Sequence, residues 1–361
     1  MKRSIKALTL EEFSEAMGNL GQPKYRAAQV FRWIYEKRKD RFEDMSDLPA
    51  PLREILNEEF SITRLETVRT IGSKDTTQKF LFELHDGQSV ESVLIPASPA
   101  LYGDAADRRT LCISTQVGCA YGCKFCASGL DGWKRNLDAS EIVEQILAAE
   151  RISGEKVNNL VFMGMGEPLA NFDNFMQALR IINAPWGVGI GARRITVSTS
   201  GLVPQIRKLA DEPMQIRLAI SLHGATDEVR DRIMPVNKKY PLQELLEACT
   251  YFSSKKKQKV TFEYILINEI NDGLDQATAL VKHARLLNVK VNLIPYNSVE
   301  GLPWKRPSIT RQDAFHDILK RQGIQATIRR EKGHDIAAAC GQLRLQNLKD
   351  KDLQSDQACI N

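Results

Sequence analysis

Three of the chain's seven cysteines fall within eight residues, in Cys119-Ala-Tyr-Gly-Cys123-Lys-Phe-Cys126. The spacing C-x3-C-x2-C inside one loop lets three thiolates wrap one face of a cubane iron–sulfur cluster. No fourth cysteine stands nearby, so one iron stays open to chelate a small molecule. The competing uses of these thiols each leave something over. A structural zinc site wants four closed ligands, commonly as two close cysteine pairs, and neither a second pair nor a neighbouring histidine is present. A four-thiolate cluster needs another cysteine close by. A redox pair at Cys123 and Cys126 has the C-x-x-C spacing but leaves Cys119 without a role. Downstream, Gly164-Met-Gly-Glu-Pro168 forms a Gly-x-Gly-Glu turn that carries little weight alone.

The other candidate residues have ordinary readings when taken singly. Cys112 lies in an apolar strand and Cys340 follows Ile-Ala-Ala-Ala, both suited to a small buried hydrophobe. Cys249 reads as a helix-packing residue and Cys359 as a thiol of the tail. His223 alone is a satisfied structural histidine. Ser198 and Asn297 are strand-end or turn residues. Glu91 is a surface carboxylate, or, if buried, one whose raised pKa suits proton transfer.

Two patterns must position these groups. Up to about residue 85 the chain reads as a small accessory domain: helices over Leu8–Met17, Tyr25–Lys37 and Leu52–Phe60, then a hairpin over 63–71 and 78–84. Val30, Trp33 and Ile34 share one apolar face of the second helix. Residues 86–345 alternate strand and helix. The strands are Leu111–Ser114, Asn159–Met163, Ile195–Ser198, Ile216–Ser221, Val260–Leu266, Val289–Ile294 and Ala326–Ile328. The helices between them are Ala139–Ile152, Asp173–Ile182, Val203–Leu209, Leu242–Phe252, Gly273–Leu287 and Arg311–Arg321. Such alternation builds right-handed βαβ units on a parallel barrel or open sheet. The polar and glycine-rich motifs fall just after strands, at the carboxyl ends where such folds put their chemistry. Residues 346–361 form a polar tail expected to lack fixed structure.

In this order, the triplet with an aromatic before its last cysteine and the Gly164–Pro168 turn after a strand resemble radical-SAM enzymes. The resemblance implies a [4Fe–4S] cluster on Cys119, Cys123 and Cys126, with S-adenosylmethionine (SAM) chelated to the open iron. It sharpens to the rRNA adenine-C2 methyltransferases and their C8-methylating relatives, over roughly residues 20–345. The segments that carry it are Thr110–Cys119, Gly164–Leu169, Arg193–Gly201, Ser221-Leu-His223, Asn292–Asn297 and Asp335–Leu343.

That resemblance implies an α/β fold, a partial (β/α)6 radical-SAM barrel with a small N-terminal helical domain. It implies that Gly166, Glu167, Ser198, Ser221, Leu222, His223 and Asn297 bind SAM. It makes Cys340 a methyl carrier, Cys112 the cysteine that resolves a protein–RNA crosslink through a transient disulfide, and Glu91 the proton acceptor. Two SAM molecules are used per turnover. The implied partners are 23S rRNA at adenine-2503, tRNA at adenine-37, and a flavodoxin-like electron donor. Val117, Pro168 and Leu293-Ile-Pro295 resemble the C2 enzymes more than the C8 ones.

Composition is compatible with this. Net charge is +5 over 361 residues, which permits a nucleic-acid partner without requiring one. Basic pairs or runs stand at Lys134-Arg135, Arg193-Arg194, Lys238-Lys239, Lys255–Lys257 and Arg329-Arg330, and Lys24, Arg26, Arg32, Lys37 and Arg38 dot the N-terminal domain. Each alone reads as a solvated face. Trp133 and Trp304, each followed by basic residues, are candidate platforms for base stacking. Seven cysteines without a signal peptide or an 18-residue apolar run point to a reduced, cytoplasmic protein with no membrane partner; it is expected to be a monomer, which nothing in the composition decides. Two other classes remain: a C8-adenine methyltransferase that alters antibiotic binding, and a non-enzymatic, metal-stabilised RNA-binding module.

Overall fold

The N-terminal helices form where local signals and apolar faces agree. Helix α1 (Leu10–Asn19) opens on a reciprocal cap, in which the Glu12 amide donates to Thr9 Oγ1 and the Thr9 amide to Glu12 Oε2. Helix α2 (Tyr25–Phe31) runs on as a wider π turn over Arg32–Glu36, burying Val30, Phe31, Trp33 and Ile34. Helix α3 (Ala50–Glu59) closes the unit over Leu52 and Leu56. Two contacts are among those that anchor this unit to the rest of the chain. The Phe31 ring packs on Trp186 at 5.2 Å. Lys6 Nζ, nearly without exposure, pairs with Glu144 Oε2 and also donates to the Thr63 carbonyl. The computed structural model describes residues 2–97, 107–130, 132–329 and 333–343. The tail, Cys359 and Arg330 lie outside the described residues.

Ten strands make the large sheet: β1 (Glu66–Gly72), β2 (Gln78–Glu83), β3 (Ser89–Pro96), β4 (Arg109–Cys112), β5 (Asn159–Phe162), β6 (Ile195–Thr199), β7 (Arg217–Ser221), β8 (Thr261–Leu266), β9 (Lys290–Pro295) and β10 (Ala326–Ile328). Their order in space runs monotonically from β10 to β1. Strands β4 to β10 are all parallel, whereas β1 to β4 pair antiparallel. An order that never reverses is the winding of a barrel, not of a doubly wound sheet. The edge strands β1 and β10 do not pair with each other, so the barrel is partial.

Helices α4 (Ala139–Ser153), α5 (Phe172–Asn183), α6 (Val203–Asp211), α7 (Asp227–Ile233), α8 (Leu242–Lys256), α9 (Leu274–Leu287) and α10 (Ile309–Arg321) connect the parallel strands. With α7 and α8 sharing one crossover, the result is six strand–helix units and a short closing strand. Residues on the outer face of the sheet, such as Phe162, Phe262 and Tyr264, are fully or nearly buried under these helices. The inner face is more polar and carries the site.

Two elements differ from expectation. The hairpin β1–β2 joins the barrel sheet through β3 and β4, so the sheet begins before the boundary expected at residue 85. The third strand β3, which completes that connection, has polar residues on both faces and reads poorly as a strand. Helix α7 is also additional; it is a short turn whose importance lies in one residue, Arg230.

Candidate active site

The cysteine loop leaves a two-stranded ribbon, Gln116–Gly118 paired with Trp133–Asn136. Its geometry depends on Gly118, whose φ is +71° and whose added Cβ would lie 1.8 Å from the Gly132 carbonyl oxygen. Cys119 is then fixed by its amide donating to that same carbonyl. The amides of Tyr121 and Gly122 point at the Cys119 sulfur, and those of Ser128 and Gly129 at the Cys126 sulfur. Burial pushes the Cys119 thiol up to about 12 and raises Cys123 and Cys126 as well. The charges of Cys119 and Cys126 each add to the shift at Cys123. Three mutually repelling thiolates, each supplied with amide donors or buried near the others, need a cationic body between them to ionise together. The donor set fits an iron–sulfur cluster with one iron free of protein sulfur.

The Gly164–Pro168 turn follows β5 and lies against the start of the ribbon. Gly166 has φ +96°, and a Cβ there would meet the Gln116 side chain and amide within 2.8 Å. Glu167 is buried; its amide donates to Gln116 Oε1, while its carboxylate accepts from the Leu169 amide (3.1 Å) and the Ser200 amide (2.7 Å). Burial raises its pKa, with these hydrogen bonds opposing the rise. The carboxylate is thus held at the ends of both β5 and β6, where an ammonium could pair with it.

Ser198 on β6 and Ser221 on β7 meet at 3.3 Å between their hydroxyl oxygens. Beyond Ser221 the chain turns through His223, a non-glycine residue at φ +57°. His223 Nδ1 accepts from the Ile265 amide at 3.0 Å, and burial, helped by Arg230, depresses its pKa to about 3. It is therefore a neutral ring, edge-on to Phe125 of the cysteine loop at 4.8 Å. The fully buried Arg230 stands behind this turn. Its guanidinium donates to the carbonyls of Ser200, Ser221 and Leu222 and to Asn237 Oδ1. One cation thereby gathers the ends of β6 and β7. Its pKa falls to about 10 through burial, with Cys123 acting the other way.

Cys340 belongs to a segment, 333–343, that crosses the barrel's carboxyl end. Hydrogen bonds run from the Ala127 amide to the Gly341 carbonyl, from the Ser128 hydroxyl to the Leu343 carbonyl and from Gln342 Nε2 to the Ser298 carbonyl. Asn297 Nδ2 donates to the Cys340 carbonyl at 3.2 Å. Arg329 Nη1 donates to Cys340 Sγ at 3.5 Å. Cys112, from β4, packs with Val93, Met165, Ala338 and Leu343. Burial pushes its thiol up to about 12, and the nearby Cys340 adds to the shift. Glu91 is fully buried on β3, with Lys79 Nζ 3.1 Å from its Oε1. The fold therefore gathers the cysteine triplet, the candidate SAM residues, Cys112 and Cys340 at one end of the barrel, and joins Glu91 to them through Lys79 and the 333–343 segment. All six described cysteines are free thiols.

The profile of the radical SAM superfamily matches residues 113–280, and that of the ribosomal RNA large subunit methyltransferase N-terminal domain matches residues 4–62. A relative from Akkermansia muciniphila, named "Probable dual-specificity RNA methyltransferase RlmN", is 55% identical over 96% of this chain and 97% of its own. The chain belongs to the RlmN family. A further RlmN relative, from Geobacillus kaustophilus, is 48% identical over 96% of this chain and 94% of its own. A crystal structure of a radical SAM methyltransferase from Sphaerobacter thermophilus superposes with a TM-score of 0.89 at 44% identity, covering 95% of this chain and 99% of that one. As an RlmN member the protein is a SAM-dependent radical RNA methyltransferase, which sets aside the non-enzymatic module. The family also brings a [4Fe–4S] cluster.

The surface expectations fare unevenly. Trp133 is half-exposed beside the cysteine loop, while Trp304 is packed against the core. In the N-terminal unit Lys24, Arg32, Lys37 and Arg38 are exposed, but Arg38 pairs with Glu150 and Arg32 with Glu36. No described helix is long and apolar enough to cross a membrane. Sequence reasoning missed Arg230, Lys79 and Glu263, and read Arg329 only as one of a basic pair. Glu263 lies buried on β8, in register with Ser221, and accepts from Asn292 at 2.9 Å.

Proposed function

We propose that the enzyme methylates C2 of adenine-2503 in 23S rRNA and of adenine-37 in tRNA, using Cys340 as a methyl carrier. The observation that carries this reading is the packing of Cys112 on Ala338 and Leu343, which flank Cys340 in the segment that also bonds to the cluster loop, near enough for the Cys340 charge to act on the Cys112 thiol. A polar methyl transfer from SAM straight to RNA needs no such pair. Adenine C2 is an electron-poor amidine carbon and not a nucleophile, so the methyl must reach it by another route.

Cys119, Cys123 and Cys126 would hold the cluster, and Glu167, Ser198, Ser221, Leu222, His223 and Asn297, with the Gly166 backbone, would hold SAM. When bound, the cluster supplies one electron for cleaving SAM, giving a radical able to remove hydrogen from a carried methyl group. The chain's own residues do the rest. Cys340 takes a methyl from a first SAM and, once activated, joins the methylene to C2, tying protein to RNA. The adduct radical would return one electron to the cluster that supplied it, and Glu91 accepts the C2 proton. Cys112 attacks the Cys340 sulfur; an S–S bond forms, the S–C bond breaks, and its electron pair leaves with the carbon, which takes a proton. An external reductant then returns the disulfide to two thiols. Two SAM molecules are consumed per turnover, a flavodoxin-like protein supplies the electron, and the enzyme works as a cytoplasmic monomer.

The test is to incubate reconstituted enzyme with SAM, reductant and an unmodified 23S rRNA fragment or tRNA, then analyse nucleosides by mass spectrometry. The expected product is 2-methyladenosine from both RNAs. The 8-methyl isomer would overturn the position, and product from one RNA alone would narrow the substrate.

A further inference from the structure

Lys79 is buried, an unusual position for a lysine. It lies on β2, and Glu91 lies on the adjacent antiparallel strand β3, opposite Leu81. The Lys79 side chain crosses to place Nζ 3.1 Å from Glu91 Oε1. A carboxylate with no access to water keeps its charge only with a partner, and Lys79 is one cation within ion-pair distance of it. The same Nζ donates to the Ala337 carbonyl at 3.4 Å, three residues before Cys340. The tip of the β1–β2 hairpin grips the same segment. Ser73 Oγ donates to Asp335 Oδ1, and the Gly333 amide donates to Asp75 Oδ2 at 3.0 Å. On the next strand over, Val93 pairs with Cys112 and packs against it. One ammonium thus touches both the candidate proton acceptor and the backbone that presents the candidate methyl carrier.

We propose that Lys79 is a positioning residue for the proton-accepting step: its ammonium orients the Glu91 carboxyl group beside the Cys340 segment. The inference rests on the reading of Glu91 as proton acceptor. It separates the two halves of the reaction. Loading a methyl onto Cys340 needs no base at C2, so it does not need Lys79. Releasing methylated RNA does, because the methylene joins Cys340 to C2 before the C2 proton leaves. A lysine with a merely structural part would weaken both halves together.

The experiment uses reconstituted full-length enzyme as wild type, Lys79→Met, Lys79→Arg and Glu91→Gln, with SAM, reductant and an unmodified 23S rRNA fragment. Two quantities are read: the methyl mass on the Cys340 peptide before RNA is added, and the partition of RNA between covalent protein adduct and free methylated product. Lys79→Met is expected to load Cys340 like wild type, to slow product release on the order of a hundredfold, the scale of a lost general base, and to accumulate adduct. Lys79→Arg, which keeps the charge, is expected to restore most of the release. If Lys79→Met releases product normally while Glu91→Gln accumulates adduct, the inference fails and the assignment of Glu91 stands. If Glu91→Gln itself releases product normally, the assignment of Glu91 falls and takes the inference with it. Loss of Cys340 loading in Lys79→Met, unrelieved in Lys79→Arg, would mark a structural role and overturn the proposal.

Discussion

Cys340→Ala enzyme is expected to make no methylated adenosine while keeping its iron, its sulfide and its ability to cleave SAM. The cysteine triplet, Glu167, the Ser198–Ser221 pair and the His223 turn are held mainly by bonds that do not involve the Cys340 side chain. The segment around residue 340 is tied down mostly through backbone groups, at Gly341, Leu343 and the Cys340 carbonyl. Removing the sulfur therefore deletes one atom's chemistry from an otherwise assembled site. The fall in RNA methylation should be on the order of 10⁶-fold, as when a covalent nucleophile is removed. Deoxyadenosine, measured by liquid chromatography with reductant and SAM, should still appear. Residual methylation at a hundredth of the wild-type rate would mean that the methyl reaches RNA without Cys340.

Cys112→Ala has a different expected signature. Cys112 lies in an apolar cluster with Val93, Met165, Ala338 and Leu343, its thiol pushed up to about 12 chiefly by burial. Cys340 has the Arg329 guanidinium donating to its sulfur, and the same guanidinium opposes the rise at Cys112. Cys112→Ala is expected to load Cys340, to react once with RNA, and to stall as a covalent adduct visible on a denaturing gel. The adduct should disappear on nuclease digestion to leave a nucleotide mass on the Cys340 peptide. A variant that turns over repeatedly would remove Cys112 from the mechanism.

Much of the site was legible because its chemistry is local in sequence. The cysteine triplet, the Gly164–Pro168 turn and the Ser221-Leu-His223 turn each sit just after a strand, and a barrel brings every such loop to one end. The strands of the parallel half were legible from apolar residues at alternate positions, such as Val260, Phe262, Tyr264 and Leu266, all buried. What escaped depends on pairing between distant segments. Arg230 occupies a short polar helix, and nothing near it announces that its partners are the carbonyls of Ser200, Ser221 and Leu222. Lys79 and Glu91 lie on strands whose two faces are both largely buried, so period-two alternation does not say which face holds a charge. The hairpin was legible as a hairpin but not as part of the barrel sheet, because β3, the strand that joins it, carries Ser89, Glu91 and Ser92 in the interior.

The central claim is that the methyl group passes through the protein. The direct measurement is a pulse and chase. Enzyme is loaded with SAM carrying a trideuterated methyl group, freed of that SAM, and then given unlabelled SAM, reductant and an unmodified 23S rRNA fragment for a single turnover. If Cys340 is the carrier, the first methyladenosine formed retains two deuterium atoms, the third having left during activation of the carried methyl. A first product with no deuterium would show direct transfer from the second SAM and contradict the account.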